Sequence, residues 1–219
     1  MEKKLISLVT PCYNEEENIT KVYEQVKTII EEQLNDYVYE HIFIDNASTD
    51  QTVELLKGIA KKDKNVKIIV NSRNFGHIRS PVYAMMQAGG DVVISLVADL
   101  QDPPEMIVDF VRAYEEGYNI VLAIKVNSQE NRLKYKVRSL YYRFLNKISD
   151  TEIYENYTGF GLYDRKTIEA LRRMPDAYPF FRGMIAEIGY KVKTIPYNQP
   201  ARVRGVTKNN FYTLYDIGI

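Results

Sequence analysis

Asp99, Gln101 and Asp102 close the segment Asp91-Val-Val-Ile-Ser-Leu-Val-Ala-Asp99-Leu-Gln101-Asp102-Pro103-Pro104, in which an apolar, β-branched run ends in acids and then two prolines. The apolar part has the length and composition of a buried strand. The prolines stop that strand and are placed to open a helix. The acids therefore sit at the carboxyl end of a central strand, where open α/β sheets bind their ligands. Carboxylates there suit a hard cation that carries phosphate oxygens. Asp102, next to Pro103, also reads as part of a helix-start cluster favoured by the helix dipole. Asp99 lies too far from the helix start for that explanation and is the expected metal or diphosphate contact.

Three further loops carry polar groups in the same kind of position. In Pro11-Cys-Tyr13-Asn14-Glu15, Pro11 fixes the backbone, Tyr13 can stack on a base and Glu15 can accept from a ribose or base. Asn14 can equally cap the following helix. In Asp45-Asn46-Ala-Ser48-Thr49-Asp50, Ser48 or Thr49 is a candidate helix cap. Asp45 emerges from a buried strand, and a carboxylate there costs free energy unless it finds partners. The third loop is Asn71-Ser-Arg73-Asn74-Phe75-Gly76-His77. His77 is read as a satisfied loop or core residue rather than a general base.

The elements that must position these loops alternate along the first half of the chain. Candidate strands are Leu5–Thr10, His41–Asp45, Val66–Asn71, Val92–Val97 and Asn119–Lys125, with helices near Glu16–Leu34, Thr49–Lys62, Pro81–Ala88 and Pro104–Glu116. Such alternation predicts an α/β fold with a mostly parallel central sheet and helices on both faces. Right-handed crossovers then bring the strand-end loops to one edge. Asp45 and Asp99 are expected on that edge, at the ends of neighbouring strands and facing one cleft.

Composition narrows the partners. The 219 residues can bury a sizeable core, and the 29 basic and 29 acidic residues leave no net charge to favour nucleic acid. One cysteine, Cys12, rules out an intrachain disulfide framework and fits a reducing compartment. No apolar segment reaches the length of a bilayer span.

The second half changes character. Arg132, Lys134, Lys136, Arg138, Arg143 and Lys147 follow one another without an acid, interleaved with Tyr135, Tyr141, Tyr142 and Phe144. That pattern is either a solvated helix face or a surface for anionic lipid, and the membrane reading is preferred. A short strand-like piece, Gly159–Tyr163, precedes a helix near Lys166–Met174. The stretch Phe211–Ile219 reads as an apolar helix without a stop signal, so a longer natural protein is expected.

Taken in order, these motifs resemble the family-2 glycosyltransferases of GT-A fold. The likeness extends to the polyisoprenyl-phosphate type, which includes dolichyl-phosphate mannose synthase and the bacterial bactoprenol glucosyltransferases. It rests on Pro11-Cys-Tyr-Asn14-Glu15 with Asn18-Ile19, Ile44-Asp45-Asn46-Ala-Ser48-Thr-Asp50, Arg73-Asn74-Phe75-Gly76-His77, Ala98-Asp99-Leu-Gln101-Asp102-Pro-Pro104, Phe181-Arg182-Gly183 and Arg202-x-x-Gly205-x-Thr207-Lys208. The resemblance spans nearly the whole chain. It implies one GT-A catalytic domain over 1–219, with a nucleotide-sugar half at 1–125 and an acceptor, membrane-proximal half at 126–219. A membrane-spanning region beyond residue 219 is expected.

The resemblance further implies an inverting transfer of a sugar from a nucleotide diphosphate, UDP-glucose or similar, to polyprenyl phosphate at the cytoplasmic face of a bacterial membrane. Pro11, Tyr13, Glu15 and Asp45 would bind the nucleoside, with Asn74 and Gly76 also on the donor side. Asp99 and Gln101 would hold Mg²⁺ or Mn²⁺ and the diphosphate. Arg182, Arg202 and Lys208 would meet the phosphates, with Asp99, Arg182 and Arg202 as the catalytic set. Two rivals stand beside this reading: transfer to a sugar hydroxyl in polysaccharide assembly, and a non-catalytic nucleotide-sugar-binding subunit. Three departures from the family pattern bear on the choice. Val97 replaces one acid of the usual Asp-x-Asp pair, which weakens the metal site, and Asn46 replaces the second acid of the nucleoside motif. Gly159-Phe160-Gly161-Leu162 stands where many relatives read Asp-Phe-Arg-Leu, so the carboxylate proposed there as a base is absent. A phosphate acceptor is already ionised and tolerates that loss, whereas a hydroxyl acceptor normally needs a base.

Overall fold

A computed structural model describes residues 3–126, 154–174, 176 and 179–200. Strands β1 (Leu5–Cys12), β2 (Val38–Asp45), β3 (Val66–Val70), β4 (Val92–Ser95), β5 (Ile120–Lys125), β6 (Tyr157–Asp164) and β7 (Val192–Tyr197) form one sheet in the order β3-β2-β1-β4-β6-β5-β7. All pairings are parallel except those of β6, which runs antiparallel between β4 and β5. The expected mostly parallel α/β sheet is therefore present. β6 explains why the Gly159–Tyr163 piece did not fit the simple alternation: it reverses direction and enters the middle of the sheet.

Helices cover both faces. On one side lie α1 (Ile19–Gln33), α2 (Thr52–Ala60) and α4 (Met106–Glu115). Ile19, Val22, Val26 and Ile30 recur at helical spacing along α1 and are buried, as are Met106, Ile107, Phe110 and Val111 of α4. On the other side lie α3 (Gly76–Gln87), α5 (Arg165–Arg172) and α6 (Phe181–Ile188). Burying two apolar stripes against the two faces of one sheet is the main stabilising term. Asp164 caps α5, its Oδ1 accepting from the amide and hydroxyl of Thr167 at 2.8 Å. Arg165 and Arg172 donate to the carbonyls of Ala88 and Met86 at 3.0 Å, satisfying orphan acceptors at the carboxyl end of α3 and tying it to α5.

Two boundaries differ from expectation in ways that matter for the site. β4 ends at Ser95 rather than Val97, so Leu96 to Glu105 form a longer loop. α3 begins at Gly76 with Pro81 inside it, not at Pro81. The start is set by Gly76 at φ +86° and by Asn74, whose Oδ1 accepts from the Gly76 amide at 2.8 Å. Pro81 then costs the helix one ladder hydrogen bond. Among the described residues no helix is long and apolar enough to cross a membrane. The basic-aromatic stretch Arg132–Lys147, together with Arg202, Lys208 and the tail to Ile219, lies outside the described residues.

Candidate active site at the carboxyl edge of the sheet

β1 is the centre of the site. It pairs with β2 through Cys12↔Asp45 and with β4 only as far as Val9↔Ser95. A proline is tolerated at position 11 of this central strand because the β4 ladder has already ended there. Asp45 and the Asp99 loop thus lie on the same edge, as expected. They leave strands that flank β1, however, rather than strands adjacent to each other, because β1 is inserted between β2 and β4.

The loops after β1 and β2 are stitched together. The Asn14 amide donates to Ser48 Oγ at 2.8 Å, and the Thr49 amide donates to Asn14 Oδ1 at 2.7 Å. The Glu15 amide donates to Thr52 Oγ1 at 2.8 Å, and the Gln51 amide to Glu16 Oε2 at 2.9 Å. These bonds overturn the local capping expectations. Asn14 sits at φ +53° and caps nothing on α1, and neither Ser48 nor Thr49 caps α2. Asp50 takes that task, its Oδ1 accepting from the Thr52 amide at 3.0 Å. Cross-loop bonding won over local capping because two neighbouring loops could satisfy each other's exposed amides.

Asp45 is fully buried. Its Oδ2 accepts from the Ser48 amide at 2.9 Å, whereas its Oδ1 has no hydrogen-bond partner. An orphaned buried carboxylate oxygen is costly in a folded protein, on the order of 1–3 kcal/mol or more. Such an atom fits a site that takes a donor group from a ligand. Tyr13 and Glu15 are half-buried on the adjoining loop, and Glu15 Oε2 accepts from Asn18 Nδ2 at 2.7 Å. Cys12 is buried, and burial pushes its thiol well up, which removes it as a nucleophile.

Past β3, Asn74 and Gly76 belong to a loop joined to Asn46. Asn46 Nδ2 donates to Asn74 Oδ1 at 2.9 Å and to the Gly76 carbonyl at 3.1 Å. The Arg73 guanidinium lies 4.2 Å from the Phe75 ring centroid and Arg79 lies 5.6 Å from it. This loop is therefore part of the same rim, as the sequence suggested.

After β4, Asp99 is half-buried and its Oδ1 accepts from the Gln101 amide at 3.1 Å, while Leu100 turns at φ +60°. Asp102 is where the structure corrects the helix-start reading. It is 3% exposed, and its carboxylate turns away from α4: Oδ2 accepts from the Val97 amide at 3.1 Å and Oδ1 from the Tyr197 hydroxyl at 3.3 Å. Burial pushes its carboxyl up to about 7, the charge of Asp99 adds to that, and the Val97 amide, the Tyr197 hydroxyl and Lys125 oppose it. Sequence spacing could not reveal which way this side chain points. Asp102 is thus a strut beneath the loop and not a replacement for the acid missing at Val97. Among the described residues no group of three or more His, Cys, Asp or Glu side chains converges on one metal position. A single carboxylate at Asp99 fits an ion of the Mg²⁺ kind that takes most of its ligands from substrate phosphate and water.

Arg182 opens α6, where Phe181 packs edge-on against Tyr163 at 5.4 Å between ring centroids. Its charge reaches the buried phenol of Tyr157, whose pKa is raised chiefly by burial. Tyr157 and Tyr163 are hydrogen-bonded to each other, and the Tyr163 hydroxyl donates to the Gly159 carbonyl at 3.0 Å. Gly159 itself stands at φ +101° with open space where a Cβ would lie, whereas a Cβ on Gly161 would come within 2.3 Å of the Val121 carbonyl oxygen. The missing carboxylate is therefore a backbone difference as well as a side-chain one. An aspartate at 159 would need a backbone conformation that L residues rarely adopt.

Comparison with known proteins gives the family and the fold. The family model described as Glycosyl transferase family 2 matches residues 7–173. The chain is 34% identical over 203 residues to the uncharacterized glycosyltransferase YkcC of Bacillus subtilis, covering 92% of this chain and 62% of that protein. It is 34% identical over 215 residues to the prophage bactoprenol glucosyl transferase homolog of Escherichia coli, covering 98% of this chain and 70% of that protein. Among solved structures, the glucosyl-3-phosphoglycerate synthase of Mycobacterium tuberculosis, in complex with Mn²⁺, UDP and glucosyl-3-phosphoglycerate, superposes with a TM-score of 0.60. That match has 16% identity and covers 98% of this chain and 76% of the other. The GT-A fold follows from it. The chain spans 62% and 66% of the length of the first two curated relatives it matches.

Proposed function

Because the chain belongs to glycosyl transferase family 2, we propose that it is the catalytic domain of an inverting glycosyltransferase using a nucleotide-diphosphate sugar, UDP-glucose or similar, with polyprenyl phosphate as acceptor. The observation that carries the donor half is Asp45, a fully buried carboxylate at the carboxyl edge with one oxygen unpartnered. In this reading the Oδ1 of Asp45 accepts a hydrogen bond from the base. Tyr13 and Glu15 border the nucleoside, and Asn74 and Gly76 close it from the β3 side. Asp99 would hold Mg²⁺ or Mn²⁺, an ion that would supply positive charge for the leaving diphosphate. Gln101, whose backbone amide fixes the Asp99 carboxylate, faces the diphosphate from the same loop.

In the transfer an acceptor phosphate oxygen attacks the anomeric carbon. The new carbon–oxygen bond forms as the bond from that carbon to the diphosphate oxygen breaks, and nucleoside diphosphate leaves. Arg182, with Arg202 and Lys208, supplies positive charge for the phosphates of donor and acceptor. The acceptor assignment is supported by Gly159. With its backbone at φ +101° and no side chain, position 159 offers no base, and an ionised phosphate needs none. The name of the Escherichia coli relative points the same way. The membrane assignment follows from the acceptor: the enzyme would work at the cytoplasmic face of a bacterial membrane, with Arg132–Lys147 as the anionic-lipid surface.

Transfer assays decide the acceptor. UDP-glucose labelled in the sugar should pass label to short-chain polyprenyl phosphate and not to a free glycan hydroxyl. Label appearing only on the glycan would favour the hydroxyl reading. Saturable UDP binding with no release of sugar would favour a binding subunit. Asp45→Ala should raise the Kd for UDP by roughly tenfold or more, the scale of a buried charge-assisted hydrogen bond of about 1.5–3 kcal/mol. Calorimetry at one temperature reads it directly.

A further inference from the structure

We infer that Asn46 is the positioning residue of the donor pocket, an amide around which the 71–76 loop is folded and through which that loop is held against Asp45. The inference rests on the donor-site reading above. Asn46 is buried, 7% exposed, and its side chain uses all of its hydrogen-bonding capacity. Nδ2 donates to Asn74 Oδ1 at 2.9 Å and to the Gly76 carbonyl at 3.1 Å. Oδ1 accepts from the Phe75 amide at 2.9 Å and from Asn71 Nδ2 at 3.1 Å. The two backbone partners fix the amide's orientation, because a backbone N–H must meet oxygen and a carbonyl must meet nitrogen. The network continues outward. Asn74 Oδ1 also takes the Gly76 amide, which starts α3, and Asn71 Nδ2 also reaches Ser80 Oγ at 3.0 Å on that helix.

Aspartate cannot make this set. It would keep the two accepted bonds and turn acceptor toward acceptor at Asn74 Oδ1 and the Gly76 carbonyl, in a half-buried place. The asparagine at position 46, a departure from the second acid of the family motif, is therefore matched to Asn71, Asn74 and Gly76 on the neighbouring loop. In the donor-site reading the carboxylate of residue 45 is the ligand contact, and the amide of residue 46 holds the loop beside it.

The experiment compares wild type with Asn46→Asp and with Asn74→Ala, a substitution at an exposed loop residue that leaves the core untouched. Each is first shown folded by circular dichroism at 15 °C. UDP titrations with Mn²⁺, and hydrogen exchange at the Phe75 and Gly76 amides, are then run at that temperature. Expected are a UDP Kd raised roughly ten- to a hundredfold in Asn46→Asp, the scale of two lost half-buried hydrogen bonds, faster exchange at both amides, and a smaller loss in Asn74→Ala. In a double-mutant cycle with Asn74→Ala the Asn46→Asp effect should be less than additive, because both act through one loop. A folded Asn46→Asp with wild-type UDP affinity and wild-type exchange overturns the inference, since a merely structural role would lower thermal stability alone. If wild type binds neither UDP nor GDP, the donor-site reading itself fails. Faster exchange without a change in affinity leaves the loop anchored by Asn46 but overturns its part in the pocket.

Discussion

Asp102→Asn tests whether the buried strut under the Asp99 loop is a protonated acid in the folded protein. The carboxyl is pushed up to about 7 from an ordinary 3.8, mainly by burial. Below about pH 3.8 the group is protonated in both states and contributes no pH dependence. Between about 3.8 and 7 the unfolded chain releases its proton while the folded chain keeps it, so the folded state binds more protons and stability falls as pH rises. Above about 7 both states are ionised and the penalty is complete. A displacement of roughly three units at about 1.36 kcal/mol per unit amounts to about 4 kcal/mol. Asparagine keeps an oxygen for the Val97 amide, can donate to the Tyr197 oxygen and carries no charge to desolvate. The stability of Asp102→Asn relative to wild type should therefore climb by several kcal/mol from pH 4 to pH 8. Urea unfolding of both proteins across that range measures it, and the comparison cancels every other titrating group they share. A difference independent of pH would mean that the carboxylate is not neutralised by folding in this window, and the electrostatic account of the loop would be wrong. Asp102→Ala, by contrast, removes both anchors and should weaken UDP binding as the Asp99 loop loses its support.

Asp99→Asn should leave stability within about 0.5 kcal/mol, as for a half-exposed group outside the core, and should abolish the dependence of UDP affinity on Mn²⁺. Unchanged metal dependence by calorimetry would remove Asp99 from the site. Gly159→Ala should cost about 1–3 kcal/mol for a left-handed backbone position, even though its Cβ meets nothing within 4 Å. Gly58→Ala, in α2 with equally open space, should stabilise by roughly 0.5–1 kcal/mol, and thermal melts should move in opposite directions. His41 is fully buried, bonded through Nε2 to Thr10 Oγ1 at 2.9 Å, and burial holds its pKa down to about 3. Its folded form stays neutral while the unfolded form charges, so stability should fall as pH drops from about 6.5 toward 3, and His41→Gln should flatten that acid limb in urea titrations.

The features legible in the sequence were those with a period or a fixed order. Apolar spacing located α1 and α4, β-branched runs located the first five strands, and the loops between them gave the rim on which Asp45 and Asp99 lie. Strand insertion was not legible. Nothing in the run Tyr157–Asp164 says that it enters antiparallel between β4 and β5, because that placement is decided by long-range pairing such as Ile94↔Leu162 and Val121↔Leu162. Nor was side-chain direction legible. Asp102 and Asp99 are both acids of one short loop, yet one lies under it at 3% exposure and the other is half-exposed at its surface. Pro81 misled because a proline normally marks a helix start, and here Gly76 and Asn74 had already made one.

The same distinction decides how the departures from the family pattern should be understood. Read as letters, Val97, Asn46 and Gly159 are three lost carboxylates and suggest a decaying site. In the structure they are of different kinds. Val97 is exposed at the rim, its amide bonded to Asp102, so the loop that carries Asp99 keeps its shape without the second acid. Asn46 has exchanged charge for two donated hydrogen bonds that an acid cannot make. Gly159 has a backbone that disfavours any side chain, secured through its carbonyl by Tyr163. Each of these residues is accommodated by its surroundings. Restoring the family residue at position 46 or 159 should therefore reduce function, whereas Val97→Asp, at an exposed side chain whose amide alone is used, should leave the loop intact. Of the three, Gly159→Asp is the most informative, because a transferase that needed a base would gain from it, whereas one acting on an ionised phosphate would lose stability and gain no rate.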